Sequence, residues 1–410
     1  MTARASGVST LSPAALRSAW CRHQRLGADL APDARTVLQQ MGWVRTLGGV
    51  DAYLALHARA PRLTVDGIHG ALARRDIEVV PAARGCIYLV ARDDAPLARA
   101  LARDLGAKRT ARDLDKAGAT VDEVERVKAA ILAELSTGPQ TTAGLRKRLP
   151  EGVVRSLGAK GKKVGLSSTL PPALRQLEFD GRIHRTPIDH QLTHEKYGWH
   201  INSDDLASID GRSAEVRHAD LVRRLLGWLA PMSVDQLAAF TGLGKRAVTK
   251  ALAGEDIVWV DGEEQPKPLA VLAQQLDDIR APAPDRPVFL PGLDTLYAAH
   301  GGPRTFVHPD DADRPIAPWG RQRAESWGHV QHGLSRSIVQ HGLICGTWEA
   351  NPDDRTIAHA PFAPGLPADL DVGHIQHLIW EAVGTANAFS IDNDARIHKR
   401  LAIVRSQPAP

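Results

Sequence analysis

Two short stretches of the sequence set side chains able to do chemistry at close spacing. In MGWVRTLGGVDAYLALHARAP, residues 41–61, Arg45, Leu47 and Asp51 stand within an otherwise apolar segment. Met41, Val44, Leu47, Leu54 and Leu56 predict a helix, and Gly48–Gly49 lets another group approach its backbone closely. On a continuous helix Asp51 lies about one turn beyond Leu47. A carboxylate there offers a negative charge and hydrogen-bond acceptors. Arginine offers donors only and keeps its charge, and leucine offers nothing. The second stretch, HIQHLIWE, sets His374, His377 and Glu381 on neighbouring helical turns, a spacing a metal could use. The HExxH pattern is absent, so neither a metal nor another cofactor is expected.

Basic residues form further groups. GAKGKK (158–163) carries Lys160, Lys162 and Lys163 but lacks the G-x-x-x-x-G-K-[ST] spacing of a phosphate loop. It reads as a flexible loop, either lying along a DNA backbone or simply solvated. Arg84, Arg182, Arg185, Lys245, Arg246 and Lys250 are the other candidate DNA contacts.

The elements that must carry these groups repeat. TVDEVERVKAAILAEL, TTAGLRKRL and STLPPALRQLEFDG predict three helices, the second capped by Thr141 and the third with Pro171 and Pro172 in its first turn, followed by a strand at RIHRTP. HADLVRRLLGWLA, SVDQLAAFTG and GKRAVTKALAG repeat the plan, with IVWVDGEEQ as a strand and turn around Asp261-Gly262. SPAALRSAWCRHQRL, PDARTVLQQMG, TVDGIHGALARRD and IEVVPAARGCIYLVARDD give a less regular copy. Three helices closed by a β-hairpin describe a winged helix, whose third helix commonly enters the major groove, although such units also bind proteins. Lys245, Arg246 and Lys250 then fall on the third helix of the last copy, and Arg182 and Arg185 on the wing of the middle one.

The proline-rich joint APAPDRP marks a boundary. Beyond it VFLPGLDTLYAAHGG, SRSIVQHGLICGTWEAN and RTIAHAPFAP read as short strands and turns, DVGHIQHLIWEAVGTANAF as a helix and HKRLAIVRS as a last strand. The expected fold is α+β: tandem winged-helix (helix-turn-helix) domains over 1–115, 116–205 and 206–285, then a small C-terminal β-barrel-like domain over 286–410. Trp199, Trp228 and Trp259 are expected to pack in cores or hinges.

Charge is unevenly spread. Residues 1–200 hold 31 basic and 20 acidic side chains, and residues 201–410 hold 20 and 27. A basic half suits a polyanion, most simply double-stranded DNA gripped through its phosphates. No apolar leader or membrane-length run is evident, and Cys21, Cys86 and Cys345 read as free thiols in a reducing compartment. A cytoplasmic monomer without membrane contact is expected.

Several stretches, taken in order, make the chain resemble the winged-helix DNA glycosylases of the AlkZ- and YcaQ-like family over nearly its whole length. They are YLALHAR, RGCIYLV, STGPQTTAGLRKRL…LRQLEFDGRIHR, FTGLGKRAVTKAL, FLPGLDTLY and HGLICGTWE. The resemblance implies removal of purines alkylated at ring nitrogen 7, by a Gln-x-Gln or Gln-x-Asp triplet lying 14 residues before the arginine that ends the YLALHAR-type helix. That arginine is Arg59 here, so the triplet falls on Arg45-Thr46-Leu47. Both catalytic positions depart from the pattern. Such a purine is already a cationic leaving group, so the chemistry needs chiefly a placed water and a group to steady an oxocarbenium-like sugar. Asp51 could supply the missing carboxylate or lie exposed on its helix face. Arg45 is expected to point from its helix into the cleft, toward a phosphate or flipped base, or else to pair with Asp51. The alternative to a glycosylase is a non-catalytic DNA binder, either a damage binder or a regulator.

Overall fold

The computed structural model describes residues 10–408 apart from 29, 31, 203–208, 284, 319–322, 324, 363–365, 367–369 and 384–393. Local signals in the sequence set most of its helices. After α1 (Pro13–His23), the first unit runs α2 (Ala34–Met41), β1 (Val44–Arg45), α3 (Asp51–His57), α4 (Val65–Ala73), β2 (Ile77–Pro81) and β3 (Ile87–Ala91). Asp33 and Thr64 cap α2 and α4 by accepting a backbone N–H two or three residues into the helix. The strands order as β1-β3-β2, all antiparallel.

The long α5 (Ala95–Ala117) leads to the middle unit. It runs α6 (Val121–Leu135), β4 (Gln140–Thr141), α7 (Thr142–Arg148), α8 (Gly158–Lys163), α9 (Leu170–Phe179), β5 (Ile183–Pro187) and β6 (Tyr197–Ile201). Thr120 and Glu123 form a reciprocal capping box on α6, and Thr141 caps α7 as expected. The expected basic loop at 158–163 is instead the short helix α8. Leu157 and Leu166 are buried on either side of it, and Gly161 packs so closely that an added Cβ would lie 2.2 Å from the Leu166 carbonyl oxygen. The third unit is α10 (Ala214–Leu229), α11 (Val234–Thr241), α12 (Lys245–Leu252), β7 (Ile257–Val260) and β8 (Leu269–Leu272). A capping box of Ser233 and Gln236 starts α11. Asp261-Gly262 opens a longer connection between the strands, and Gly262 also bridges to Leu11.

The C-terminal part departs further from expectation. Its elements are β9 (Val288–Leu290), α13 (Thr295–Ala299), β10 (Pro315–Ile316), β11 (Glu325–Ser326), β12 (Arg336–Gln340), β13 (Leu343–Asn351), β14 (Thr356–Pro361), α14 (Gly373–His377) and α15 (Asp394–Arg405). The main sheet has the open order β14-β13-β12-β9, and no closed barrel forms among the described residues. HKRLAIVRS belongs to α15, not to a strand. Ile397, Arg400, Leu401, Ile403 and Val404 are buried, and the spacing of 397, 400, 401 and 404 is helical rather than alternating. Asp294 caps α13 within the stretch expected to be strand and turn. The expected helix over 371–389 is described as far as Val383, partly as a π-helical turn, and its remainder lies outside the described residues.

Three cores hold the chain. One joins α1, the β2–β3 hairpin, α5 and the third unit to C-terminal residues such as Phe306 and Trp327. A second packs α2, α3 and α4 against β13 and α14, through Tyr53, Leu54, Trp348 and Ile375. The middle unit keeps its own core around Val127, Ile131, Leu174 and Trp199. Trp228 packs on Trp43 at 6.0 Å and over Gly42, and Trp199 is buried, as expected of core tryptophans.

Candidate DNA-glycosylase site

Arg45 does not lie on a helix. It sits on β1 opposite Tyr88 of β3, and the Thr46 N–H continues the pairing to the Ile87 carbonyl at 3.1 Å. Gly48 and Gly49, with φ of +71° and +69°, then swing the chain out of the sheet, a path that favours glycine. The Gly49 N–H reaches the Thr193 carbonyl of the middle unit at 2.8 Å. Only then does α3 begin, with Asp51 in its first turn, where a negative charge faces the positive end of the helix. The turn therefore separates Leu47 from Asp51, so the two do not share a continuous helix.

Asp51 is nevertheless brought to the same place. Arg45, Leu47 and Asp51 line one narrow cavity of about 10 Å³, together with Ala55, Asp294 and Thr295. That space is close to the minimum for a single water and far too small for a base. The Asp51 side chain is 13% exposed, so it is not the solvated helix-face residue that was the simpler expectation. Its partner is Arg336 of β12, whose Nη2 donates to Asp51 Oδ1 at 3.0 Å, rather than Arg45. Arg336 also donates to Glu349, which in turn accepts from Arg400 of α15. The chain Asp51–Arg336–Glu349–Arg400 thus ties the start of α3 to the C-terminal sheet and the last helix.

Arg45 is half-buried. Its Nη2 lies 3.7 Å from Cys86 Sγ, and its Nε is buried with no hydrogen-bond partner among the described residues. The far wall of the cavity is Asp294, held by Arg59 through Nη1 at 2.7 Å and Nη2 at 2.8 Å. Arg59 also donates to Gln24 and to the Ala55 carbonyl. Sequence reasoning named Arg59 only as a landmark and missed Asp294, Arg336 and Glu349. The sole available signal for Asp294 was its place in FLPGLDTLY.

The expected DNA contacts fall into two groups. Arg84, Lys160, Lys162, Lys163, Arg182 and Arg246 are exposed. Lys245 and Lys250, on α12 as expected, are exposed but pair with Asp235 at 2.8 Å and Glu215 at 3.4 Å. Arg185 is different. It is half-buried on β5, paired through two nitrogens with Glu178 and stacked 4.9 Å from both Tyr197 and Trp199. It stands on the β5–β6 hairpin, but its guanidinium is engaged by Glu178, Tyr197 and Trp199 within the middle unit. Arg182 directly precedes β5, at the base of the β5–β6 hairpin.

His374 stacks on His57 at 5.5 Å beside an open cleft of about 520 Å³, at the opposite end of α3 from Asp51. Burial first, then the neighbouring His374 and Arg286, hold His57 down to about 4. No three histidine, cysteine, aspartate or glutamate side chains converge on a metal-binding point among the described residues. The three cysteines are free thiols.

This mixed α+β fold has a counterpart among known proteins. A family model described as "DNA glycosylase AlkZ-like" matches residues 34–373, and the chain belongs to this AlkZ-like DNA glycosylase family. Its fold is similar to that of the DNA glycosylase AlkZ from Streptomyces sahachiroi. The TM-score is 0.67 at 15% identity, over 93% of this chain and 98% of that one. No curated protein sequence matches the chain. No helix among the described residues is long and apolar enough to cross a membrane.

Proposed function

We propose that the chain is a DNA-binding base-excision protein that removes purines alkylated at ring nitrogen 7 from double-stranded DNA. Membership of the AlkZ-like family supports the class. The placement of Asp51 carries the catalytic assignment, because its carboxylate lines a water-sized cavity at the position the family resemblance marks for catalysis. In this reading Asp51 orients the water and steadies the cationic sugar, while Arg336 holds the carboxylate in place. Leu47 fills the cavity wall and has no chemical part. The three helix-and-strand units act as winged helices over 1–115, 116–205 and 206–285, with α4, α9 and α12 as their third helices. The protein works as a cytoplasmic monomer and needs no cofactor.

Abasic-site formation tests this on a duplex carrying an N7-alkylated guanine, read as strand cleavage after heat or alkali. Asp51→Asn is expected to lower release by about 100-fold or more while duplex binding is retained.

A second reading, binding without excision, is favoured by one observation. Arg45 brings a positive charge to the cavity where a cation must develop. Wild-type protein that binds the damaged duplex yet releases no base would establish that reading and remove the first.

A further inference from the structure

We propose that Arg84, Arg45, Arg304 and His332 form a clamp for one backbone phosphate of the DNA strand, beside the Asp51 cavity. The proposal rests on the reading of the chain as a DNA binder and adds two residues, Arg304 and His332, that the sequence did not single out.

The groups come from distant segments. Arg84 stands at the tip of the turn between β2 and β3, in a left-handed conformation at φ +57°, and is exposed. Its side chain crosses to the third unit, where a Cβ added to Gly242 would lie 3.0 Å from its Cγ. Arg45 reaches the same turn through Cys86. On the other side, two C-terminal loops meet closely. A Cβ on Gly302 would lie 2.3 Å from the Gln331 carbonyl oxygen, and one on Gly333 3.5 Å from Pro303. Arg304 and His332 are therefore neighbours, both exposed, and Arg304 is steadied by donating from Nε to the Gly301 carbonyl at 2.9 Å.

The two sides meet beside the Asp51 cavity: Arg45 lines it with Pro291 and Leu293, and a Cβ on Gly292 between them would lie 2.5 Å from the carbonyl oxygen of Leu334, two residues beyond His332. Partial burial, then Arg84, Arg45 and Arg304, hold its imidazole below the usual 6.5, so all three guanidiniums are near enough to act on it. Among the described residues these are the charged groups that act on it. The deeper arginines of this fold meet carboxylates: Arg59 with Asp294, Arg99 with Glu78, Arg185 with Glu178 and Arg336 with Asp51 and Glu349. Arg45, Arg84 and Arg304 make no such ion pair among the described residues. Three like charges gathered around one imidazole repel one another, and a phosphodiester would relieve that repulsion. Its two oxygens also match guanidinium donors in geometry and charge. A phosphate seated there raises the proton affinity of His332, so binding takes up a proton and strengthens as pH falls.

Titrating a short fluorescent duplex at several salt concentrations, at about pH 8 and about pH 6, tests the clamp. Arg304→Ala is expected to weaken binding and to flatten the slope of log affinity against log salt by about 0.9. His332→Gln should remove part of the tightening between the two pH values. Arg246→Ala serves as a DNA-face control outside the clamp, and circular dichroism checks that each variant folds. If Arg246→Ala weakens binding while Arg304→Ala and His332→Gln change neither affinity, slope nor pH response, the clamp is wrong and the DNA reading stands. If the wild-type protein binds no duplex, both fall together.

Discussion

The Arg59 guanidinium and the Asp294 carboxylate meet in two parallel contacts of 2.7 and 2.8 Å, with neither side chain exposed. The pair joins the end of α3 to the start of α13, 235 residues away along the chain, and holds Asp294 in the wall of the Asp51 cavity. Removing one partner leaves a buried charge alone. Asp294→Ala and Arg59→Met are each expected to cost about 3–5 kcal/mol, whereas the double variant should cost much less than their sum. Chemical denaturation of the four proteins measures this, and strict additivity would show that the charges do not act as a pair.

Placing hydrogen-bond acceptors at positions 45 and 47, where the family resemblance implies them, tests the proposed excision site. Replacing both by glutamine, Arg45→Gln with Leu47→Gln, is expected to raise abasic-site formation by about tenfold or more. If the double variant binds DNA and still releases no alkylated base, the site has diverged beyond these two positions.

Arg185 and Arg246 separate stability from binding. Arg185→Ala strips the buried Glu178 of its partner and should lower stability by about 3 kcal/mol without altering the salt slope of the folded protein. Arg246→Ala, on the exposed side of α12, should leave the unfolding midpoint in place and reduce the slope. The reverse pattern would put Arg185 on the DNA face.

Acid sensitivity is built into the first core. His300 stacks on Trp20 at 4.2 Å, and burial, then nearby His23, lowers it to about 3, so it is neutral in the folded chain. The unfolded chain titrates near 6.5 and binds the extra proton first. Stability from this group is therefore complete above about pH 6.5 and is lost as pH falls toward about 3, by up to about 1.4 kcal/mol for each pH unit. His300→Phe should flatten the fall in thermal midpoint over that window. An unchanged pH profile would assign the sensitivity to other groups, His184 among them, which is also lowered to about 3.

The helices of the middle and third units were legible in the sequence because their causes are local. The cap hydroxyl of Thr141, the capping box from Ser233 to Gln236 and the apolar period of Val124, Val127, Ile131 and Leu135 all act within a few residues. The charge asymmetry and the apolar surroundings of Arg45 were equally plain. What tertiary structure decided depends on segments far apart in the chain. Pairing with β3 makes Val44–Arg45 a strand, although the apolar spacing around them suits a helix. Burial against β13 gives Ile397, Leu401 and Val404 one helical face, although LAIV has the composition of a strand. Asp51 meets Arg336 across 285 residues, and this contact turns a solvent-facing candidate into a half-buried cavity wall. Spacing along the chain reports periodicity and caps, because hydrogen bonds within a helix span four residues. It carries no record of which distant guanidinium will neutralise a given carboxylate, since that is fixed only when separate elements pack and exclude water.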